Sequence, residues 1–202
     1  MLAADYGAEV TGVTVSPAQF QYAKSHPVPR VSVVLGDWLR NPLEDQAFDV
    51  AIAIESSEHM PDLAAFFEQA SRVLNPGGRL VVCAWLAHPR ASATQRKLLL
   101  EPACREGRMA PLGSFAEYRR LFELHGFTVE HEEDVSQNVK RTWPLCAGRF
   151  LARLVREPRY FQFLVNQHAR NRVFAVTIFR IWMAFETGAL KYGILTGVKE
   201  QP

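Results

Sequence analysis

The chain has 202 residues, 48% of them hydrophobic and 22% charged, with a formal net charge of +2. That is the size and balance of one soluble domain with a sizeable core, and with no recognition motif it argues against a nucleic-acid-binding protein. Three scattered cysteines (Cys83, Cys104, Cys146) form neither a disulfide framework nor a zinc-ligand spacing, so a reducing, cytoplasmic setting is expected.

In chain order, Met1 to Tyr6 reads as the last turn of a helix, with Gly7 as its C-cap. EVTGVTV (9–15) and VSVVLGD (31–37) are β-branched runs that predict strands. Between them, Ser16-Pro17-Ala18-Gln19 places a capping serine, a proline in the first helical position and a glutamine at the third, a capping-box arrangement. FDVAIAI (48–54) and GRLVVCAW (78–85) are continuous apolar runs, as expected of parallel strands covered on both faces. The spacing of Leu63, Phe66, Phe67, Ala70, Val73 and Leu74 predicts a helix over 61–74, ended by NPGG (75–78). Ser114-Phe115-Ala116-Glu117 opens another helix with a second capping box, and Gly126 is its expected C′ residue. FTVEHEEDV (127–135) alternates like a strand near an edge, and YGILTGVK (192–199) predicts a last strand.

This alternation predicts an α/β fold of the doubly wound, Rossmann-like type, with a mostly parallel sheet, an antiparallel C-terminal strand and one domain over 1–202. The core is expected in 1–136 and 190–202. The segments 86–112 and 137–189 break the alternation and read as insertions over the carboxyl ends of the strands, the second as a lid or substrate cap. The apolar stretch 173–198 is interrupted by Arg180, Glu186 and Lys191, too short for a membrane span, and the N-terminus carries no signal-peptide pattern.

Charge is unevenly distributed. Residues 1–139 hold 12 Lys/Arg against 18 Asp/Glu, whereas 140–180 hold nine basic residues against Glu157 alone. Such a segment pairs with the acidic part, faces solvent, meets an anionic substrate, or makes a peripheral membrane contact. In 145–156, Phe150, Leu151, Leu154 and Val155 share one side of a helix, and Arg149, Arg153 and Arg156 another; the pattern suits a lid with Trp143 or an ordinary packed helix. The stretch ESSEHMPD (55–62) follows a buried strand and concentrates three acids and a histidine there. A histidine near a carboxylate can accept a proton, and Asp62 reads as a surface acid complementing the N-terminus of helix 61–74. The histidines at 26, 88, 125, 131 and 168 show no ligand spacing, so no metal is expected.

The ordered set YGAEVTGVTVSPAQ, VVLGDW, FDVAIAIESSEHMPD and RVLNPGGRLVV resembles class I S-adenosylmethionine-dependent methyltransferases. GVTVSPAQ, ESSEHMPD, NVKRTWP and the C-terminal YGILTGVK resemble the tocopherol (vitamin E) C-methyltransferase group and its plant N-methyltransferase relatives. The resemblance implies S-adenosyl-L-methionine as cofactor. It makes Ser16 and Gln19 contacts to the ribose hydroxyls, although both also suit a plain helix cap. It makes Asp37 an acceptor for the adenine amino group with Trp38 beside the ring; a turn aspartate and a core tryptophan fit the same pattern. Glu55 and Ser56 would line the cofactor pocket. His59, oriented by Glu58, would deprotonate or orient a small or amphipathic acceptor, a phenolic carbon or an amine nitrogen; as a plain turn, Glu58 would be a surface acid.

One departure stands out. The family begins with a strand and a glycine-rich loop, and that strand sits between those expected here at 9–15 and 48–54. Neither occurs upstream of Met1, so the expectation is an N-terminally truncated methyltransferase. The alternative is a catalytically silent module that needs a partner or acts in binding only. A nicotinamide-dependent dehydrogenase is disfavoured by the same missing loop and by the lack of a Tyr-x-x-x-Lys pair.

Overall fold

The computed structural model describes residues 1–166 and 173–201. Its helices are α1 (Leu2–Tyr6), α2 (Pro17–Ser25), α3 (Leu63–Val73), α4 (Ala93–Gln95), α5 (Glu101–Gly107), α6 (Phe115–Leu124), α7 (Ser136–Val139), α8 (Thr142–Arg156), α9 (Pro158–Val165) and α10 (Val173–Glu186). Its strands are β1 (Val10–Thr14), β2 (Val31–Leu35), β3 (Phe48–Ile54), β4 (Leu74–Ala87), β5 (Phe127–Asp134) and β6 (Leu190–Lys199). The architecture is the α/β one expected from the alternating pattern, with antiparallel pairing only around β5 and β6.

Local signals act largely where the residues place them. Gly7 ends α1 at φ 68°. Asp62 caps α3 by accepting the Ala65 N–H at 3.0 Å. Ser114 and Glu117 form both halves of the capping box of α6. After α3 the chain turns through Gly77 at φ 78°, but pairing with β3 already starts at Leu74. β4 is therefore longer at its start than the 78–85 run: Leu74 pairs with Phe48, the register then shifts across NPGG, and regular pairing resumes at Arg79 opposite Val50.

The strands form two sheets. β1 and β2 pair in parallel, and a second sheet has the order β3-β4-β6-β5. β3 is parallel to β4, while β6 runs antiparallel to both β4 and β5. β5 is an outer strand, and its charged sequence suits that place: Arg119 of α6 holds Glu132 with two oxygens, at 2.7 and 2.8 Å. Charges on an edge discourage further strand pairing.

The core lies on both faces of the larger sheet. On one face Phe66 and Phe67 of α3 and Tyr118 and Phe122 of α6 pack on Leu80, Val82, Ala84 and Leu195. On the other, Ile181, Ala184 and Phe185 of α10 cover Ala87, Leu190 and Tyr192 together with Leu100 and Ala103. Burying one Phe or Leu side chain contributes about 1.5–3 kcal/mol, so α3 and α6 anchor the sheet firmly.

Among the described residues no strand lies between β1 and β3. Each keeps one unpaired ladder edge, and the two border a slot of about 300 Å³ walled by Gly12 and Val13 on one side and by Val50 to Ala53 on the other. Val50, Ile52 and Ile54 are 50%, 47% and 64% exposed.

Candidate active site

Each residue singled out in the sequence follows the carboxyl end of β1, β2 or β3. After β1, Ser16 accepts the Gln19 N–H at 3.3 Å and so caps α2. The second half of the expected box does not form. The Gln19 carbonyl instead accepts the Thr14 hydroxyl at 2.6 Å, and the Thr14 oxygen accepts the Ser16 N–H at 3.1 Å. Thr14, at the end of β1, competes for both partners and leaves the two side chains at the rim.

After β2, Asp37 accepts the Leu39 N–H at 3.0 Å, capping the short turn Trp38–Arg40. Its carboxylate is exposed, which leaves an acceptor oxygen free of that cap. Trp38 donates its indole N–H to the Phe66 carbonyl at 3.2 Å. The ring is thereby fixed on the core, and it also lines the slot.

The stretch after β3 is the most constrained. Glu55 sits at φ 48°, a left-handed value that costs a non-glycine residue about 1–2 kcal/mol. Its N–H donates to the Cys83 carbonyl at 2.8 Å, so the bond that extends the β3–β4 ladder holds the turn. Ser56 then lines the slot with Trp38 and Met60. Ser57 to His59 form a single tight turn.

Glu58 is 5% exposed and is no surface acid. One carboxylate oxygen accepts the Trp85 N–H at 3.0 Å and the other accepts the Ser57 hydroxyl at 3.2 Å. Its backbone carbonyl accepts the Ala110 N–H at 2.8 Å. Burial pushes its carboxyl above the ordinary value, and the hydrogen bonds from Trp85 and Ser57 oppose that. Ser57 also meets the Tyr118 hydroxyl at 2.9 Å, and burial raises the Tyr118 phenol as well.

His59 stands exposed at the rim. The expected hydrogen bond from its ring to Glu58 is not formed, because both Glu58 oxygens accept from other donors. His59 Nδ1 lies 3.3 Å from the Arg108 carbonyl. A carbonyl only accepts, so Nδ1 donates to it, and in the neutral ring Nε2 presents the lone pair. Arg108 is itself left-handed, at φ 55°, which turns its carbonyl toward the histidine.

Some of this network was not visible in the sequence. Ser57 and Tyr118 read as a turn residue and a helix-face residue, and only folding joins them. Tyr192 reads as the first residue of a strand, yet it packs near Glu55 and Cys83; burial, then the Glu55 carboxylate, raise its phenol. On the same face Trp85 meets Trp143 edge-on at 5.6 Å, and Trp143 stacks on Phe185 at 6.4 Å. Both indole N–H groups are buried without a hydrogen-bond partner.

Residues 1–82 match the model of a methyltransferase domain. The 27-O-demethylrifamycin SV methyltransferase of Amycolatopsis mediterranei is 33% identical over 195 residues, covering 94% of this chain and 68% of its own length. The chain belongs to the S-adenosylmethionine-dependent methyltransferases. The chloroplastic tocopherol O-methyltransferase of Arabidopsis thaliana is 29% identical over 206 residues, 96% of this methyltransferase chain. The chain spans 58% of that relative's length. A cyclopropane synthase from Mycobacterium tuberculosis superposes with a TM-score of 0.80, at 19% identity, over 98% of this chain and 72% of its own. That likeness shows the fold.

S-adenosylmethionine is the cofactor of the family, and the strand-end residues of this methyltransferase fit it. Hydroxyl and amide groups (Ser16, Gln19) follow β1, an exposed carboxylate beside a fixed indole (Asp37, Trp38) follows β2, and Ser56 closes the end of the slot. These are the donors, acceptors and flat apolar wall that a ribose and a purine require.

Proposed function

We propose that this methyltransferase transfers a methyl group to a small or amphipathic acceptor bearing a phenol or an amine, with His59 as the group that takes the acceptor's proton. The observation that carries this reading is the His59 ring. It is exposed beside the cofactor residues, held at Nδ1 by a backbone carbonyl, and leaves Nε2 with a lone pair directed away from that anchor. The bound cofactor supplies an electrophilic methyl on sulfur, and the remaining demand is alignment and removal of a proton.

Ser16, Gln19, Asp37, Trp38, Glu55 and Ser56 hold the cofactor in this reading. Glu58 is a positioning residue: it ties the His59 turn to β4 through the Trp85 amide and lies close enough to His59 for their charges to interact. The two partnerless indole donors, Trp85 and Trp143, favour an acceptor that carries oxygen, because each offers a buried N–H to it. The relatives named as a tocopherol O-methyltransferase and a 27-O-demethylrifamycin SV methyltransferase support an oxygen acceptor.

Residues 137–189 serve as the lid over that acceptor. On α8, Leu145, Leu151 and Val155 are exposed beside Arg149, Arg153 and Arg156, an arrangement suited to a greasy acceptor or an anionic lipid surface. Part of the basic excess is spent internally: Arg180 pairs with Glu106 and Lys140 with Glu186. Arg170, Arg172 and His168 lie outside the described residues. No helix among the described residues is long and apolar enough to cross a membrane.

The test is His59→Ala, measured for turnover and for cofactor affinity. Turnover falling much more than affinity supports the proton-accepting role; equal loss of both makes His59 structural. A second reading is a methyltransferase-like module that needs a partner or acts in binding only; retained cofactor binding with no turnover on any phenol or amine would favour it.

A further inference from the structure

We propose that Glu106 of α5 is a positioning residue for His59: by clamping α5 to α10 it fixes the backbone carbonyl that keeps the neutral His59 ring protonated at Nδ1. The seating of α10 thereby sets whether Nε2 can take a proton. This deepens the reading of His59 as the group that receives the acceptor's proton, and it rests on that reading.

The turn that carries His59 is pinned twice to the segment 108–110. The Glu58 carbonyl accepts the Ala110 N–H at 2.8 Å, and His59 Nδ1 lies 3.3 Å from the Arg108 carbonyl. Among the described residues that carbonyl is the one hydrogen-bond partner of the ring. An imidazole side chain free in water favours the proton on Nε2, and a protein selects the other tautomer by the hydrogen bond it offers to Nδ1. The place of a single backbone oxygen therefore decides whether Nε2 faces the site as a lone pair or as an N–H.

Arg108 does not hold that place alone. It caps the C-terminus of α5 in a left-handed conformation, with its N–H turned back on the Arg105 and Cys104 carbonyls, and the Met109 N–H donates to the Cys104 carbonyl at 2.8 Å. The carbonyl of Arg108 thus points wherever the last turn of α5 points. α5 has seven residues, too few to be held by helix propensity, so its orientation comes from its packing. Ala103 rests on α10 through apolar contact, which has no direction and lets the helix slide. Glu106 supplies the direction. One of its carboxylate oxygens accepts the Thr177 hydroxyl and the other the Arg180 guanidinium, both on α10. The Glu106 side chain is 12% exposed and Thr177 4%. Charge-assisted bonds to both oxygens of a nearly buried carboxylate fix its angle as well as its distance. Glu106 precedes Arg108 by two residues, so α10 is tied to the anchor of His59 through a single helical turn.

The experiment uses purified residues 1–202 with nitrogen-15 in the histidine rings, and long-range proton–nitrogen correlation at about pH 8.5, where an ordinary imidazole is neutral. The signals lost in His59→Gln assign the ring. In the wild type the proton is expected on Nδ1. Glu106→Ala should lower the ratio of Nδ1–H to Nε2–H by roughly fivefold, the size of one ordinary hydrogen bond. Arg180→Met breaks the clamp from the α10 side and should do the same; it decides the matter if Glu106→Ala does not fold. Leu195→Ala, buried on the opposite face of the sheet, should lower the melting temperature and leave the ratio unchanged. A wild-type ring with its proton on Nε2 overturns the proposal, as do folded clamp variants that keep the proton on Nδ1. So does a Leu195→Ala ratio that falls as far as that of Glu106→Ala, because the effect would then be general loosening. The ratio is read without turnover. A His59→Ala protein with full activity would therefore refute the proton-accepting role while the tautomer measurement still judged the clamp.

Discussion

The Glu58 carboxylate accepts the backbone N–H of Trp85 at 3.0 Å, so an acid in the turn after β3 completes the hydrogen bonding of the neighbouring strand. Glu58→Ala strands that amide and the Ser57 hydroxyl in a buried place. A loss of about 2–3 kcal/mol in stability is expected, since an unsatisfied buried polar group costs about 1–3 kcal/mol. Chemical denaturation measures it; a change within experimental scatter would mean that water replaces the carboxylate.

The same group predicts a pH dependence. Its carboxyl is raised above 4.5, chiefly by burial, so the folded state binds a proton that the unfolded state has released. Stability from this group is complete below about 4.5 and is lost as pH rises through the higher folded value. The melting-temperature gap between wild type and Glu58→Gln should therefore move in favour of wild type as the solution is acidified toward 4.5. A gap that is flat in pH would contradict the burial effect.

Trp143→Phe keeps the ring on Trp85 and Phe185 but removes a buried, partnerless N–H. If that donor meets an acceptor oxygen, KM for a phenolic substrate should rise by about tenfold, corresponding to a hydrogen bond of about 1.4 kcal/mol. Steady-state kinetics with kcat followed separately distinguishes this from a packing defect. A variant that is merely more stable, with KM unchanged, would make the indole structural.

Gly78→Ala tests the start of β4. A Cβ there would lie 2.8 Å from the Asn75 carbonyl oxygen and 3.1 Å from that of Asp49. Both are backbone atoms and cannot rotate away, so a loss of about 1–3 kcal/mol is expected. Thermal unfolding measures it, and an unchanged midpoint would show that the turn can shift.

Leu151→Asp with Val155→Asp tests the outer face of α8. Co-sedimentation with vesicles of neutral and of anionic phospholipid should show binding only to the anionic ones, and its loss in the double variant. Binding that is indifferent to the two substitutions would assign the contact to other basic residues.

The fold was legible because its signals are local or strictly periodic. The run FDVAIAI needs burial on two faces, Ser16 caps within one turn, and Ser114 with Glu117 closes a box within one turn. The site was legible only as a set of strand ends. Glu58 shows why: in ESSEHMPD it reads as a solvated acid, and only the arrival of Trp85 on β4 gives its carboxylate something to do inside. Gln19 shows the converse, since Thr14, a strand residue outside the capping pattern, took the bond expected for Ser16. His59 kept its expected place but acquired its anchor from Arg108, a residue whose left-handed backbone no periodicity announces.

β4 pairs with β6 from Arg79 against Val198 through Ala87 against Leu190, joining the middle of the chain to its last residues. During synthesis, β3, β4 and the aromatic face of α3 emerge early and wait with one ladder unfilled. Closure of this sheet joins strands more than a hundred residues apart, a long-range event slow to nucleate and exposed to misassociation until β6 docks.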